Sequence, residues 1–254
     1  MHHFENVGLY DAVFVMQDRE TKTLWNHITG EALYGPRLGH TLGPVGNLLQ
    51  MSVAQALELD PEIRIGISDR AYFAHGQRFG TAPGLIEATR AEPPGRGRGP
   101  APGGPDASGP GRGGPGTAPG ERELLSAFAD TLGVEDTRRP RMELGLGVWN
   151  GDTSRYYPVE RIREHDEALI DDLDGRTLVV YLDPATNTPA AVFANAAGAV
   201  IKEDEVRLDD GSVIRGGVMY DAAGARIDVE RPMQIFTRWY GFALTFPDPE
   251  VFGD

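Results

Sequence analysis

The chain has 254 residues, 40% of them hydrophobic, enough for a sizeable core in one large domain or two small ones. Twenty-four Lys and Arg face 38 Asp and Glu, and the resulting net charge of −14 repels phosphate backbones and anionic headgroups, so nucleic acid is not an expected partner. Without cysteine there is no disulfide framework, no thiolate nucleophile and no cysteine-ligated zinc or iron–sulfur centre; no window approaches the roughly 20 apolar residues of a membrane span, and Met1-His2-His3-Phe4-Glu5 lacks the basic and apolar parts of an export signal.

From the start, Ala12-Val13-Phe14-Val15-Met16 is a short apolar run ending in the polar cluster Gln17 to Thr21 and reads as a buried strand. Lys22 to Trp25 then returns antiparallel, Gly30 makes the next turn, and Glu31 to Tyr34 forms a third short strand before Gly35-Pro36 breaks it. Ser52, with Gln55 three residues on, predicts a capped helix carrying Val53, Ala56 and Leu57 on one face and stopped by Asp60-Pro61. Ile63, Ile65 and Ile67 alternate with Arg64, Gly66 and Ser68, the period of a half-buried strand.

Between Ala91 and Gly120 stand 11 glycines and 8 prolines and no large apolar residue, so this stretch has nothing to offset the entropy of ordering it. It reads as a disordered linker over residues 89–120, between a first part at 1–88 and a second at 121–254. With a local charge of +1 and neither a preceding strand nor a Gly-Lys-Ser/Thr ending, it is neither a phosphate cradle nor an RNA-binding tract.

Beyond the linker, Leu124, Leu125 and Phe128 predict a short amphipathic helix over Glu121 to Leu132. Leu144 to Trp149, Ser154 to Tyr157 and Thr177 to Leu182 read as strands, with a helical turn from Val159 to His165. Asp171-Asp172-Leu173-Asp174-Gly175 reads as a polar hairpin turn, not as a cation loop. Five short strands follow: Ala190 to Ala194, Ala199 to Ile201, Glu205 to Leu208, Val213 to Ile214 and Val218 to Tyr220, with turns at Asp210-Gly211 and Ala223-Gly224. A final helix is expected from Met233 to about Leu244. The segments Gln50 to Ile63 and Gln234 to Val251 share a Gln-apolar start and an Asp-Pro-Glu stop, an internal echo that implies two related modules.

The run Phe14-Val15-Met16-Gln17-Asp18-Arg19-Glu20-Thr21-Lys22-Thr23-Leu24-Trp25-Asn26-His27-Ile28-Thr29-Gly30-Glu31-Ala32-Leu33-Tyr34-Gly35-Pro36, completed by Gly39 and Leu42, resembles the bacterial and archaeal family called domain of unknown function 3179 (DUF3179). The likeness covers about residues 4 to 70 and resumes at Gly147-Val148-Trp149 and Arg155-Tyr156-Tyr157-Pro158. It continues through Asp174-Gly175 and Leu178-Val179-Val180-Tyr181 to Trp239-Tyr240 and Asp248-Pro249. In many members the strand matching Val179 to Tyr181 runs into Cys-Pro, which invites a redox reading. Here the pair is Asp183-Pro184, and a carboxylate cannot exchange thiols. Relatives are often exported and longer, and the first module here lacks its own Tyr-Pro half. The resemblance therefore implies a truncated start and leaves the compartment open.

Two readings of function follow. His27 and His40 flank the turn-rich segment Trp25 to Gly43, but their spacing matches no His-x-His or His-Glu-x-x-His metal pattern. Trp25 reads as a core or hairpin-flanking aromatic, Asn26 as a turn-satisfying amide, and Gly35-Pro36 with Gly39 as the frame of a tight loop. No Gly-x-Ser-x-Gly elbow is present. The leading expectation is an α+β protein with mostly antiparallel, short-stranded sheets in two related modules, each closed by a helix. It would act as a non-catalytic domain binding a small molecule or a protein, with no cofactor and no metal. The ligand-binding candidates are Trp25, Asn26, His27, Gly35, Pro36, His40, Tyr157 and Asp183. The competing expectation is a metal- or carboxylate-dependent enzyme using His27, His40 and Asp183.

Overall fold

A computed structural model describes residues 3–11, 13–43, 47–66, 129–151 and 153–254. Except for 62–66, these belong to one compact unit; residues 62–66 belong to a second and have no regular structure. Of the described residues 42% are strand and 11% helix. The expected α+β architecture with closing helices is therefore incorrect: the described residues are nearly all-β, with four small sheets and three short helices.

The first sheet is a meander of β1 (Phe4–Tyr10), β2 (Val13–Asp18), β3 (Leu24–Asn26) and β4 (Ala32–Tyr34). Helix α1 (Val53–Leu59) begins at the expected capping box: Gln55 N donates to the Ser52 hydroxyl, and Ser52 N donates to Gln55 Oε1 at 2.8 Å. It does not close the first sheet, because its long-range hydrogen bonds run to Asp183, Tyr220 and Arg226. The alternation at Ile63 and Ile65 makes no strand; both side chains are exposed, and no strand pairs with them among the described residues. The linker 89–120 and the Glu121–Leu132 helix as far as residue 128 lie outside the described residues.

Strands β5 (Leu144–Asn150) and β6 (Thr153–Pro158) form a hairpin that runs into α2 (Val159–Glu164). A three-stranded sheet follows, of β7 (Ala168–Leu173), β8 (Arg176–Leu182) and β9 (Pro189–Phe193). The Asp171-Asp172 pair expected in a turn lies within β7, and the turn is confined to Asp174-Gly175, both at positive φ. A five-stranded sheet comes next: β10 (Ala199–Lys202), β11 (Glu205–Leu208), β12 (Val213–Arg215), β13 (Val218–Tyr220) and β14 (Arg226–Ile227). Then β15 (Met233–Arg238) returns beside β5 and continues into α3 (Trp239–Thr245), and β16 (Glu250–Val251) pairs in parallel with β6. The helix expected from Met233 is thus strand for its first six residues; Gln234 and Ile235 sit in register with Val148 and Gly147.

Period-two alternation along β8 sets the layering. Leu178, Val180 and Leu182 pack with Leu146, Tyr157 and Ile162, while Val179 and Tyr181 pack with Val206, Ile214 and Met219. All five β8 residues are fully buried, so the three-stranded sheet lies between the β5–β6 hairpin and the five-stranded sheet. A third cluster joins Tyr156, Trp239 and Phe242. Its close packing depends on glycine: a Cβ on Gly147 would lie 2.2 Å from the Phe242 ring. The echo between Gln50–Ile63 and Gln234–Val251 extends to structure only in part: each segment holds a seven-residue helix ahead of its Asp-Pro, but Gln234 and Val251 are in strands and Gln50 and Ile63 are not.

Candidate functional site

The loops β2–β3 and β8–β9 have the same design. Each carries Asp-x-x-Thr-x-Thr, as Asp18-Arg19-Glu20-Thr21-Lys22-Thr23 and, 165 positions later, as Asp183-Pro184-Ala185-Thr186-Asn187-Thr188. The Asp N–H donates to the last Thr carbonyl at 3.1 and 2.9 Å, and its own carbonyl accepts from Lys22 N and Asn187 N at 3.0 and 2.7 Å. Lys22 and Asn187 both adopt positive φ, and the two threonine hydroxyls meet at 2.6 and 2.7 Å. In each loop the carboxylate also accepts the backbone N–H of the first threonine. The flanking strands keep one register: Met16 opposite Trp25 in the first hairpin corresponds to Tyr181 opposite Ala190 in the second.

The loops differ at the carboxylate. Asp18 uses both oxygens, with Oδ2 accepting the Thr21 hydroxyl at 2.6 Å and Trp25 Nε1–H at 2.8 Å. Burial opposes ionisation of Asp18, but the hydrogen bonds from the Thr21 hydroxyl, the indole and the Thr21 and Thr23 amides outweigh it. They hold the carboxyl well below the usual carboxylate range. At Asp183 all four hydrogen bonds converge on Oδ1, from Ala185 N, Thr186 N, Thr186 Oγ1 and, at 2.9 Å, Gln55 Nε2. Asp183 is 7% exposed and lines a cavity of about 20 Å³ together with Gln50, Gln55, Tyr181, Ala190 and Arg231.

A larger recess of about 570 Å³ lies where the first sheet faces the end of β5 and the residues after α3. On one side, Asn26 Oδ1 accepts Ile28 N and Thr29 N, Gly30 turns at φ +72°, and residues 40–42 fold back through Ala32 N to His40 O and Leu42 N to Gly30 O. This brings Thr29, Glu31 and Thr41 to the rim, with Thr29 Oγ1 donating to Glu31 Oε2 at 3.2 Å. On the other side Trp149 and Phe246 pack with ring centroids 4.8 Å apart.

The expected ligand residues are dispersed. Trp25 is buried by its bond to Asp18, and Asn26 satisfies the turn. His27 Nδ1 meets Phe14 O at 2.7 Å, and His40 Nδ1 meets Arg37 O at 3.0 Å. Gly35, at φ +111°, lets the loop pass Thr23, whose Cα would be 3.0 Å from an added Cβ, and Pro36 is exposed beside it. Tyr157 is buried and donates its hydroxyl to Asp171 at 2.7 Å; burial first, then that bond, pushes its phenol well above the usual range. His27, His40 and Asp183 share no hydrogen-bond partner, and no group of three metal-ligating side chains occurs among the described residues. Also among the described residues, no helix is long and apolar enough to cross a membrane.

None of the eight candidates lines the larger recess, although the Trp25-to-Gly43 segment that holds six of them also supplies Ile28, Thr29, Glu31, Thr41 and Gly43. Trp149, Phe246, Gln55 and Arg231 were not legible as site residues, because only the tertiary fold brings them to the two cavities. The Asp-x-x-Thr-x-Thr repeat was a usable sequence signal for Asp183. No family model, curated protein or solved structure matches the chain.

Proposed function

We propose that the chain is a non-catalytic ligand-binding domain related to domain of unknown function 3179, and that the recess between Glu31 and Trp149 is its binding site. The observation that carries this reading is the recess itself. At about 570 Å³ it falls within the roughly 300–1,000 Å³ of small-molecule sites. It offers a paired aromatic wall opposite one carboxylate and two threonine hydroxyls. Aromatic faces stack on the apolar side of a ring, and Glu31 with Thr29 and Thr41 suits hydroxyls or an amine on the other side. The acidic chain favours neutral or cationic ligands over anions.

Trp149 reports on occupancy, because it is half-buried whereas Trp25 and Trp239 are buried. Titration with a panel of small sugars and amines should give a saturable change in tryptophan emission, with a matching heat of binding, for at least one compound. Glu31→Gln should weaken that affinity about tenfold, the scale of one lost charge-assisted hydrogen bond. Absence of saturable binding across the panel, or binding indifferent to both Glu31→Gln and Trp149→Ala, would overturn the reading.

A further inference from the structure

The two Asp-x-x-Thr-x-Thr hairpins provide an internal comparison. In the first, Asp18 Oδ2 is closed by the indole of Trp25. In the second, the position in register with Trp25 is Ala190, which ends at a methyl group. Asp183 Oδ2 accepts no hydrogen bond among the described residues, and Asp183 and Ala190 line the same cavity. A volume of about 20 Å³ exceeds the ~10–15 Å³ that one water-sized group needs. The second hairpin therefore keeps a solvent-reached acceptor with no protein donor, and a small space, where the first has an N–H donor in place.

Which donor fits is decided by the rest of the wall. Arg231 lines the same cavity, and its guanidinium donates to Ala191 O and Gly217 O, which leaves further N–H groups of its five. A cation would meet Arg231, and an anion would meet Asp183. A neutral group with a donor and an acceptor on adjacent atoms satisfies both. The chain already presents such a group to this carboxylate, since Gln55 Nε2 donates to Oδ1.

We propose that the cavity beside Asp183 is a binding site for the primary carboxamide head of a small neutral molecule, its N–H₂ on Asp183 Oδ2 and its carbonyl toward Arg231. Gln55 narrows the site, so the intact chain holds the ligand loosely and shortening Gln55 admits it more readily. This site is separate from the recess at Glu31 and does not depend on it.

The test uses the full chain, ¹⁵N-labelled, with acetamide as probe and acetate and methylammonium as charged controls. Acetamide should give saturable amide shifts at Ala185, Thr186 and Ala190 with an affinity in the millimolar range, as suits so few atoms; neither control should do so. Gln55→Ala should tighten acetamide at least fivefold. Asp183→Asn should abolish the shifts, because an amide N–H₂ replaces the free acceptor while Oδ1 can keep the loop bonds. Should Asp183→Asn disturb the fold, Ala190→Val, which fills the space, serves as the second variant and should also abolish them. No saturable shift in either the intact chain or Gln55→Ala would overturn the proposal. So would acetate or methylammonium binding as tightly as acetamide, or acetamide shifts that survive Ala190→Val. Failure at this site leaves sugar or amine binding at Glu31 untouched, and the two are read from different resonances.

Discussion

Gln234 makes both hydrogen bonds of a peptide group with Ala191: its Oε1 accepts the Ala191 N–H at 2.8 Å, and its Nε2 donates to the Ala191 carbonyl at 2.9 Å. A side chain on β15 thus stands in for a neighbouring strand along β9. Gln234 is 1% exposed, so its removal leaves the Ala191 N–H without a partner, whereas the Ala191 carbonyl keeps the Arg231 guanidinium. Gln234→Leu should lower stability by about 1–3 kcal/mol, the cost of an unsatisfied buried donor. Urea denaturation should show the midpoint falling with an unchanged slope.

The Trp25–Asp18 bond joins β3 to the end of β2. Trp25→Phe keeps most of the apolar volume but removes the N–H and leaves a buried carboxylate oxygen with one donor fewer. The thermal midpoint should fall by about 4 °C or more. Hydrogen exchange should quicken first in the amides of β2 to β4, because no residue of that sheet belongs to the three buried clusters.

Asp18 also sets an acid limit. Its folded carboxyl titrates well below the usual range, so its contribution is complete above the unfolded value of about 4 and is lost as pH falls through the folded value. Wild type should therefore exceed Asp18→Asn in stability at pH 7, with the margin shrinking as pH drops below about 4. Urea midpoints of both proteins across an acid pH series measure it. A margin that stays constant down to the most acid point would contradict the assignment.

Gly147 tests packing alone. With the Phe242 ring 2.2 Å from an added Cβ, and no positive φ to account for the glycine, Gly147→Ala must push α3 away from β5. The expected cost is about 1–3 kcal/mol, typical of overpacking. Near-ultraviolet circular dichroism should change as well, because the Tyr156 ring meets Trp239 edge to face and Phe242 at a tilt.

What the sequence could tell divides along local and distant signals. The Ser52–Gln55 capping box, the hairpin through Asp18 and the buried run Leu178 to Leu182 were legible because each signal lies within a few residues of its effect. Strand β7 was misread because Asp171 and Asp172 look like turn residues. The structure explains the place of Asp171, which accepts from Arg155 and Tyr157 of β6 in the neighbouring sheet. Met233 to Arg238 was misread as helix because no turn residue separates it from α3; its strand state is imposed by β5, a partner far back in the chain. The same holds for function. The wall of the Glu31 recess comes from Trp149 and Phe246, whose nearness to the first sheet no local pattern encodes.

The order β15-β5-β6-β16 has a consequence for biosynthesis. Both outer strands of that sheet come from residues 233–251, so while the ribosome is still translating the five-stranded sheet, β5 and β6 exist as a bare hairpin. Pairings so distant in sequence form late and slowly. Until they form, the nascent chain presents the ring of Tyr156, later enclosed by Trp239 and Phe242, to whatever holdase chaperone is at hand.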